Sequence, residues 1–219
     1  MQSEIGSHLL VLSERRFTFM DRKEAITKLK KLESVDLVPL ASKYKVTIWR
    51  GDKKNKGWAG HVLERYLGLP INSAQSPNFG SWELKIVPLK QLANGTITVK
   101  ETMAITMIDP VNVRNTPFEK SHLLLKLRKA VVCARLFESQ QEIRSVLVRV
   151  SEFDLTKELY DQVEKDYEET RACIIKRGFE YLTGAMGVLV QPRTKGAGHG
   201  STSRAFYART QFVKKILGI

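Results

Sequence analysis

The sequence is poor in cysteine and has no long hydrophobic run. Its 219 residues include two cysteines, Cys133 and Cys173, which are too few for a disulfide framework or a cysteine-rich zinc site. No apolar stretch approaches the roughly 20 residues that a membrane-spanning helix needs. The N-terminus has no basic region ahead of its short apolar stretch, which argues against a secretory signal. These absences predict a protein of a reducing, cytoplasmic setting with no membrane partner.

Several families of catalytic motif are also missing. The sequence contains no glycine-rich phosphate loop followed by Lys-Ser or Lys-Thr, no pattern typical of a Ser-His-Asp triad, and no zinc-ligand spacing. It shows neither internal repeats nor low-complexity tracts. The sequence therefore gives no support to these chemistries or to a repeat architecture.

Acidic residues are far fewer than basic residues. The chain carries 36 Lys and Arg against 23 Asp and Glu, a net charge of +13. Such a surplus favours a polyanionic partner, because each phosphate that a cationic side chain neutralises releases condensed counterions. Charge alone leaves open a basic globular protein with no nucleic-acid role. The hydrophobic fraction of 42% is ample for a sizeable core.

Hydrophobic periodicity predicts helices and strands that mix without strict alternation. Helices are expected over residues 21–32, 58–68, 121–130, 157–178 and 204–217. Strands are expected over residues 44–49, 81–89, 96–108, 130–137, 145–153 and 186–192. The mixture indicates an α/β fold built on a mixed sheet flanked by helices. The length predicts a single domain over residues 1–219.

The stretch Ser-Pro-Asn-Phe-Gly-Ser-Trp-Glu-Leu-Lys, residues 76–85, has the most chemical content. Glu83 and Lys85 are two residues apart, so a strand places them on one face. A carboxylate there can bind a divalent metal, and a lysine beside it can orient water or offset charge on a phosphate. Such pairs are often solvated neighbours, but this one lies inside an apolar run, where charges need a reason. Glu64, on the preceding predicted helix, is a second candidate carboxylate.

Residues 55–68 (NKGWAGHVLERYLG) and 76–89 (SPNFGSWELKIVPL) resemble the MutH family, which includes a mismatch-repair nicking endonuclease and restriction enzymes that cut at GATC. That family has Lys-Gly-Trp/Phe-x-Gly before a helix ending in Leu-Glu, then Asp-Phe, a spacer and Glu-Leu-Lys. Similar blocks (EKSHLLLKLRKAVV, DYEETRACII, VLVQPRTKG and SRAFYARTQF) keep their order as far as Leu217. The resemblance implies a restriction-endonuclease-like, PD-(D/E)xK fold. Residues 51–219 would form its catalytic and DNA-recognition core, behind an N-terminal helical and strand portion over residues 1–50.

The resemblance also implies roles for single residues. Glu64, Asn78 and Glu83 match the metal-binding positions, and the implied cofactor is Mg²⁺, with Mn²⁺ as a substitute. Lys85 matches the catalytic lysine, and Lys126 matches a further lysine near the scissile phosphate. All five are therefore expected to belong to the catalytic site.

Contacts with double-stranded DNA are expected from the resemblance and from basic loops. Arg193 stands where the family has a base-reading lysine. Tyr207 matches a tyrosine near the adenine whose methylation is sensed, although a core aromatic of the terminal helix is the structural alternative. Glycines in the loop 193–204 permit close approach of the backbone to phosphate. Further expected DNA contacts are Lys56, His122, Lys195 and Arg204.

The sequence departs from the family at two positions. Asn78 replaces the aspartate before phenylalanine, and an amide brings no charge to a metal. Metal affinity and turnover should fall unless another acid substitutes, and residues 65–100 contain no aspartate. Gln191, expected to contact DNA, replaces an arginine of the recognition loop. Glutamine reads adenine, whereas arginine or lysine reads guanine, which allows a target other than GATC.

Three functions fit these observations. The first is a Mg²⁺-dependent, sequence-specific endonuclease of the restriction type, which would cut both strands as a homodimer; a repair nickase of the same chemistry would need a MutL-type activator. The restriction type is favoured because the chain is unusually basic and its recognition loop departs from the repair proteins. The second is a DNA-binding module that no longer cuts, for which Asn78 is the argument. The third is a basic protein unrelated to nucleic acid.

Overall fold

The computed structural model describes residues 20–68, 77, 79–196 and 202–219. Asn78 and residues 197–201 of the glycine-rich loop lie outside the described residues. The helices are α1 (Arg22–Lys30), α2 (Leu37–Lys43), α3 (Trp58–Tyr66), α4 (Pro110–Asn115), α5 (His122–Leu127), α6 (Lys157–Lys176) and α7 (Thr210–Leu217), with 3₁₀ turns at Phe118–Lys120 and Phe179–Tyr181. The strands are β1 (Trp49–Arg50), β2 (Lys53–Lys54), β3 (Glu83–Gln91), β4 (Ile97–Val99), β5 (Met103–Met107), β6 (Lys129–Leu136), β7 (Leu147–Asp154), β8 (Val190–Thr194) and β9 (Arg204–Ala208).

Short polar side chains begin four of the described helices. Asp21, Asp36 and Asp109 accept hydrogen bonds from first-turn N–H groups of α1, α2 and α4, and Ser121 does the same for α5. Such caps satisfy donors that a helix start leaves unpaired, and each contributes about 1 kcal/mol. Asp36 also accepts a hydrogen bond from the N–H of Ser145, which ties α2 to the segment before β7.

The strands form two sheets and a separate hairpin. The larger sheet has the order β4-β3-β6-β7, in which β3 and β6 are parallel and the flanking strands antiparallel. The smaller sheet has the antiparallel order β5-β9-β8. The hairpin pairs β1 with β2 directly before α3. The predicted fold class, an α/β fold with a mixed sheet flanked by helices, is confirmed.

The core lies on both faces of the larger sheet. Leu84, Val131 and Cys133 pack with α1, α2 and α3 on one face. Val87 and Val132 pack on the other face with α5, α6, α7 and the smaller sheet. Residues 130–134 of β6 are all buried, as expected for a strand covered on both sides. The other cysteine, Cys173, lies in α6 and is partly exposed. No helix in the described ranges combines the length and apolarity that crossing a membrane requires.

The chain end differs from its prediction. Residues 204–217 were expected to form one helix, but residues 204–208 are strand β9 and α7 begins at Thr210. The strand pairs with β5 on one side and with β8 on the other. Ladder bonds to two neighbours outweigh local helix propensity, which is a weak preference. Tyr207 therefore stands on a central strand and not on a helix.

Other predicted elements also differ, among them the strand expected over residues 186–192, which covers residues 190–194. The strand expected over residues 96–108 is two strands, β4 and β5, that belong to different sheets. The strand expected over residues 44–49 begins only at Trp49, and residues 44–48 form a turn and irregular backbone after α2. Pro39 lies in the first turn of α2, where a missing N–H removes no helix bond. The helix expected over residues 121–130 ends at Leu127, since β6 begins two residues later.

Candidate active site

Glu83 is the centre of the candidate active site. It is the first residue of β3, and it is 1% exposed. The Nζ atom of Lys85 lies 2.7 Å from its Oε1 atom, and the Nζ atom of Lys126 lies 3.4 Å from the same oxygen. A buried carboxylate needs such partners, because desolvation penalises its charge. The structure thus brings together Glu83, Lys85 and Lys126, which the sequence placed in one catalytic site.

Lys126 reaches Glu83 from α5. That helix begins at the capping residue Ser121 and packs against β6 of the larger sheet and β5 of the smaller one. Lys126 is 9% exposed. Burial lowers the pKa of Lys126, the charge and hydrogen bond of Glu83 oppose that shift, and the charges of Lys85 and Lys195 add to it. Lys126 is therefore a nearly buried cation stabilised by Glu83.

Lys195 brings a third cation into the neighbourhood of Lys85 and Lys126. It follows β8, and its N–H donates to the carbonyl of Ser203 at 2.9 Å, which joins the two sides of the glycine-rich loop. Although the residue as a whole is exposed, desolvation lowers the pKa of its ammonium, and the charge of Lys85 lowers it further. Two lysines on one carboxylate, with Lys195 acting on both of them, leave a local excess of positive charge. Such an excess suits an entering phosphate.

Glu64 lies on α3, the helix that packs against β3. Its helix, α3, packs closely there: a Cβ atom at Gly60 would lie 3.7 Å from Cγ2 of Ile86. The Oε2 atom of Glu64 is buried from solvent. Within the described ranges, no three His, Cys, Asp or Glu side chains group closely enough to hold a metal ion by themselves. Mg²⁺ is usually held by one or two carboxylates together with phosphate oxygens and water, so the donor chemistry of Glu64 and Glu83 fits it.

The predicted base-reading residues lie on the smaller sheet. Gln191 of β8 is paired with Tyr207 of β9. Arg193 is exposed; its Nη1 atom donates to Oγ1 of Thr102 at 3.1 Å, and its guanidinium lies 5.9 Å from the centre of the Tyr207 ring. Burial raises the pKa of Tyr207, Arg193 opposes the rise, and Glu101 adds to it. Tyr207 thus keeps its hydroxyl proton at neutral pH and can donate a hydrogen bond.

The other predicted DNA contacts lie on several elements and differ in exposure. Gln191 is 5% exposed and so is far less accessible than Arg193. Lys56 is exposed just before α3, and His122 is half-buried at the start of α5. Arg204 donates from Nη1 to Oγ1 of Thr194 at 3.0 Å.

Sequence reasoning missed a buried ionic network beneath α3. Arg135 and Glu142, 7% and 3% exposed, form a bidentate pair with N–O distances of 2.8 and 2.9 Å. Lys54 of the hairpin adds a contact of 2.6 Å to the same carboxylate. The Arg135 guanidinium also lies 5.4 Å from the ring centre of Trp58, which begins α3. The signal in the sequence was Arg135, a charge inside the apolar run of residues 130–137.

Comparisons with known proteins give consistent matches. A family model described as the DNA mismatch repair enzyme MutH matches residues 67–166, and the model of the MvaI/BcnI restriction endonuclease family matches residues 26–106. The DNA mismatch repair protein MutH of Vibrio campbellii is 24% identical, covering 89% of this chain and 92% of that protein. The MutH protein of Haemophilus ducreyi is 25% identical, covering 89% of this chain and 92% of its own length.

One solved structure is also similar, the restriction endonuclease MvaI in complex with its cognate DNA substrate. It has a TM-score of 0.37 and 12% identity, and the match covers 90% of this chain and 97% of that one. A likeness of that size supports no inference about this chain. The two family models together span residues 26–166, and the MutH relatives match over most of their length. These matches support a MutH-like endonuclease family for the chain.

Proposed function

We propose that this chain is a sequence-specific, divalent-metal-dependent endonuclease that hydrolyses a phosphodiester of double-stranded DNA to leave a 5′ phosphate. The observation that carries the proposal is the buried carboxylate of Glu83, held at the start of β3 by Lys85 and Lys126. The net charge of +13 supports a polyanionic substrate. Similarity to two endonuclease families supports the reaction class. We further propose a cytoplasmic location, where genomic or invading DNA is met.

Five side chains would share the steps of phosphodiester hydrolysis. Glu83 and Glu64 would hold a Mg²⁺ ion, and Asn78 could add a neutral oxygen. The bound ion would supply Lewis-acid stabilisation of charge on the phosphate. Lys85 orients the attacking water, whose oxygen bonds to phosphorus as the bond to the 3′ oxygen breaks. Lys126 offsets the negative charge that builds on the phosphoryl oxygens.

Two modes of cutting are compatible with this site. A restriction enzyme must cut both strands, and we propose that this chain does so as a homodimer; the match to the MvaI/BcnI restriction family over residues 26–106 favours this mode. A repair nickase cuts one strand and would depend on a MutL-type activator. The names of the MutH relatives favour that second candidate. Plasmid products separate the two, since a nickase yields open circles and a restriction enzyme yields linear fragments.

Restoring an aspartate at position 78 tests whether the chain is a working enzyme. We expect Asn78→Asp to cut plasmid DNA at least about 10-fold faster than the unaltered chain, because a carboxylate adds a charge beside a divalent cation. Both proteins should be compared on methylated and unmethylated plasmid, with Mg²⁺ and with Mn²⁺. Cutting by the aspartate form alone would identify this chain as a DNA-binding module. Cutting by neither form would refute the proposed activity.

Removing the cation on α5 tests the role given to Lys126. We expect Lys126→Met to lower the single-turnover cleavage rate by about 10- to 100-fold, because the developing charge on the phosphate loses one stabilising partner. Lys120→Met, in the exposed turn before α5, removes an equal charge and serves as the control. Equal losses in the two variants would show that Lys126 acts only through the overall charge of the protein.

A further inference from the structure

Residues 183–189, which lead into β8, and Val190, its first residue, form a segment held by hydrogen bonds to side chains of α6 and to Arg209. Asp166 of α6 is 2% exposed, and its carboxylate accepts from the successive backbone N–H groups of residues 188–190 at 2.8, 2.7 and 2.7 Å. Gln162 donates to the same carboxylate at 2.9 Å. Hydrogen bonds to a carboxylate are shorter and stronger than those between neutral groups. The inner end of the segment therefore has one conformation.

The outer end of the segment is held by a charge of opposite sign. Arg209 follows β9 and donates to the carbonyl oxygens of residues 184, 185, 186 and 187 at distances between 2.9 and 3.1 Å. Gly187 has φ of +73°, and a Cβ atom there would collide with the carbonyl oxygen of Val190. Its N–H donates to the carboxylate of Glu169 at 3.0 Å. Donors and acceptors of the backbone are thus both fixed by side chains of neighbouring elements.

The exposed part of this segment lies beside the predicted base-reading side chains. Residues 183–185 are exposed to solvent. A Cβ atom at Gly184 would lie 3.5 Å from Cγ of Arg193 and 3.5 Å from Oε1 of Gln191. Surface loops are commonly mobile, whereas this one is fixed where the two side chains meet it. Its rigidity calls for an explanation that burial of the loop itself does not supply.

We propose that residues 183–187 form a preorganised DNA-contacting edge that contributes to sequence discrimination together with Gln191 and Arg193. This inference rests on the proposed function of a sequence-specific endonuclease. An edge that is already ordered loses little entropy on binding. A rigid edge also discriminates strongly, because a wrong base pair meets a clash or leaves polar groups unpaired. Gly184 is the residue of this edge at which an added Cβ atom would contact both Gln191 and Arg193. Asp166 and Arg209 are positioning residues that hold the edge.

Gly184→Ala is the primary test. Gly184 does not have a positive φ, and the contacts of an added methyl at 3.5 Å are ordinary van der Waals distances, so the variant is expected to fold. A pool of duplexes with a randomised segment, bound in Ca²⁺ and sequenced, first identifies the preferred site of the unaltered chain. Cleavage of that site and of its single-base variants is then measured for both proteins. We expect the ratio of preferred to variant rates to fall by about 10-fold or more.

Ala93→Val is the matched control, because it adds methyl groups on an exposed turn at the opposite end of β3 from Glu83. It should leave the ratio unchanged. Asp166→Asn supplies an independent variant: it weakens the acceptor that fixes residues 188–190, and the ratio should fall as it does for Gly184→Ala. Gln162→Leu removes the hydrogen bond to Asp166 that comes from outside the segment, and it should keep the ratio.

An unchanged ratio in Gly184→Ala, with a clear preference in the unaltered chain, would overturn this inference and leave the proposed function standing. The same holds if Asp166→Asn lowers stability alone. If the unaltered chain neither prefers a sequence nor cuts, the proposed function itself fails, and this inference fails with it.

Discussion

Glu83→Gln is expected to lower the rate of DNA cleavage by about 100- to 1,000-fold, the usual effect of losing one preorganised catalytic group. The amide keeps the shape of the side chain but removes the negative charge that would hold a divalent metal. It also removes the charge that keeps the ammonium groups of Lys85 and Lys126 at 2.7 and 3.4 Å from one oxygen. Single-turnover cleavage of supercoiled plasmid with Mg²⁺ and with Mn²⁺ measures the loss.

Binding should change in the opposite direction. Without the carboxylate, the two lysines lose their counter-charge, and a DNA phosphate can supply one. We therefore expect Glu83→Gln to bind a labelled duplex at least as tightly as the unaltered chain in Ca²⁺, with a steeper dependence on salt. Glu158→Gln, an exposed glutamate of α6, makes the same chemical change and should alter neither property. Near-normal cleavage by the Glu83 variant would remove this residue from the active site.

Glu142→Ala is expected to lower the free energy of unfolding by about 3–5 kcal/mol, the usual cost of breaking a buried ion pair from one side. The change leaves Arg135 buried without its bidentate partner and releases Lys54 from the same carboxylate. Urea unfolding at neutral pH measures the effect. Glu138→Ala is the control, because its ion pair with Arg144 has the same 2.9 Å distance but lies at the surface. That control should cost less than about 1 kcal/mol.

The same carboxylate predicts how stability depends on pH. Burial alone would raise the pKa of Glu142, but the hydrogen bonds and charges of Arg135 and Lys54 outweigh it and hold the pKa below its ordinary value of 4.5. A group whose pKa is lower in the folded state stabilises the fold above its unfolded pKa. That contribution is lost as pH falls through the folded value. Unfolding free energy should therefore decline below about pH 4.5 more steeply in the unaltered chain than in Glu142→Ala. Parallel declines would show that Glu142 is not the titrating group.

Local sequence pattern could predict only those site residues that lie on the same strand. Glu83 and Lys85 are two residues apart, and the apolar run around them required a buried strand, so their shared face followed from the alternation of a strand. Lys126 lies 43 residues away from Glu83, and no periodicity connects the two. Its place in the site was implied by the resemblance to a family, and the structure puts its Nζ atom 3.4 Å from Oε1 of Glu83.

The parts that local pattern could not predict depend on distant pairing. Residues 204–208 suit a helix by themselves, and they become a strand because β5 and β8 lie on either side. The bonds from Asp166 and Arg209 to residues 184–190 join elements that are about 20 residues apart, so no local window includes both partners. Arg135 in an apolar run was a sign of a buried charge. Its partner Glu142 could not be predicted, because it lies in a loop that has no periodicity.

Because the two thiols are unequally buried, their alkylation can report local unfolding of the protein. Cys133 is fully buried in β6, and burial also raises the pKa of its thiol, so an alkylating reagent cannot reach a thiolate there while the chain is folded. Cys173 is partly exposed and is accessible in the folded state. The second alkylation therefore occurs only when β6 separates from its neighbours. Its rate measures how often the strand next to Glu83 becomes free, without any engineered label.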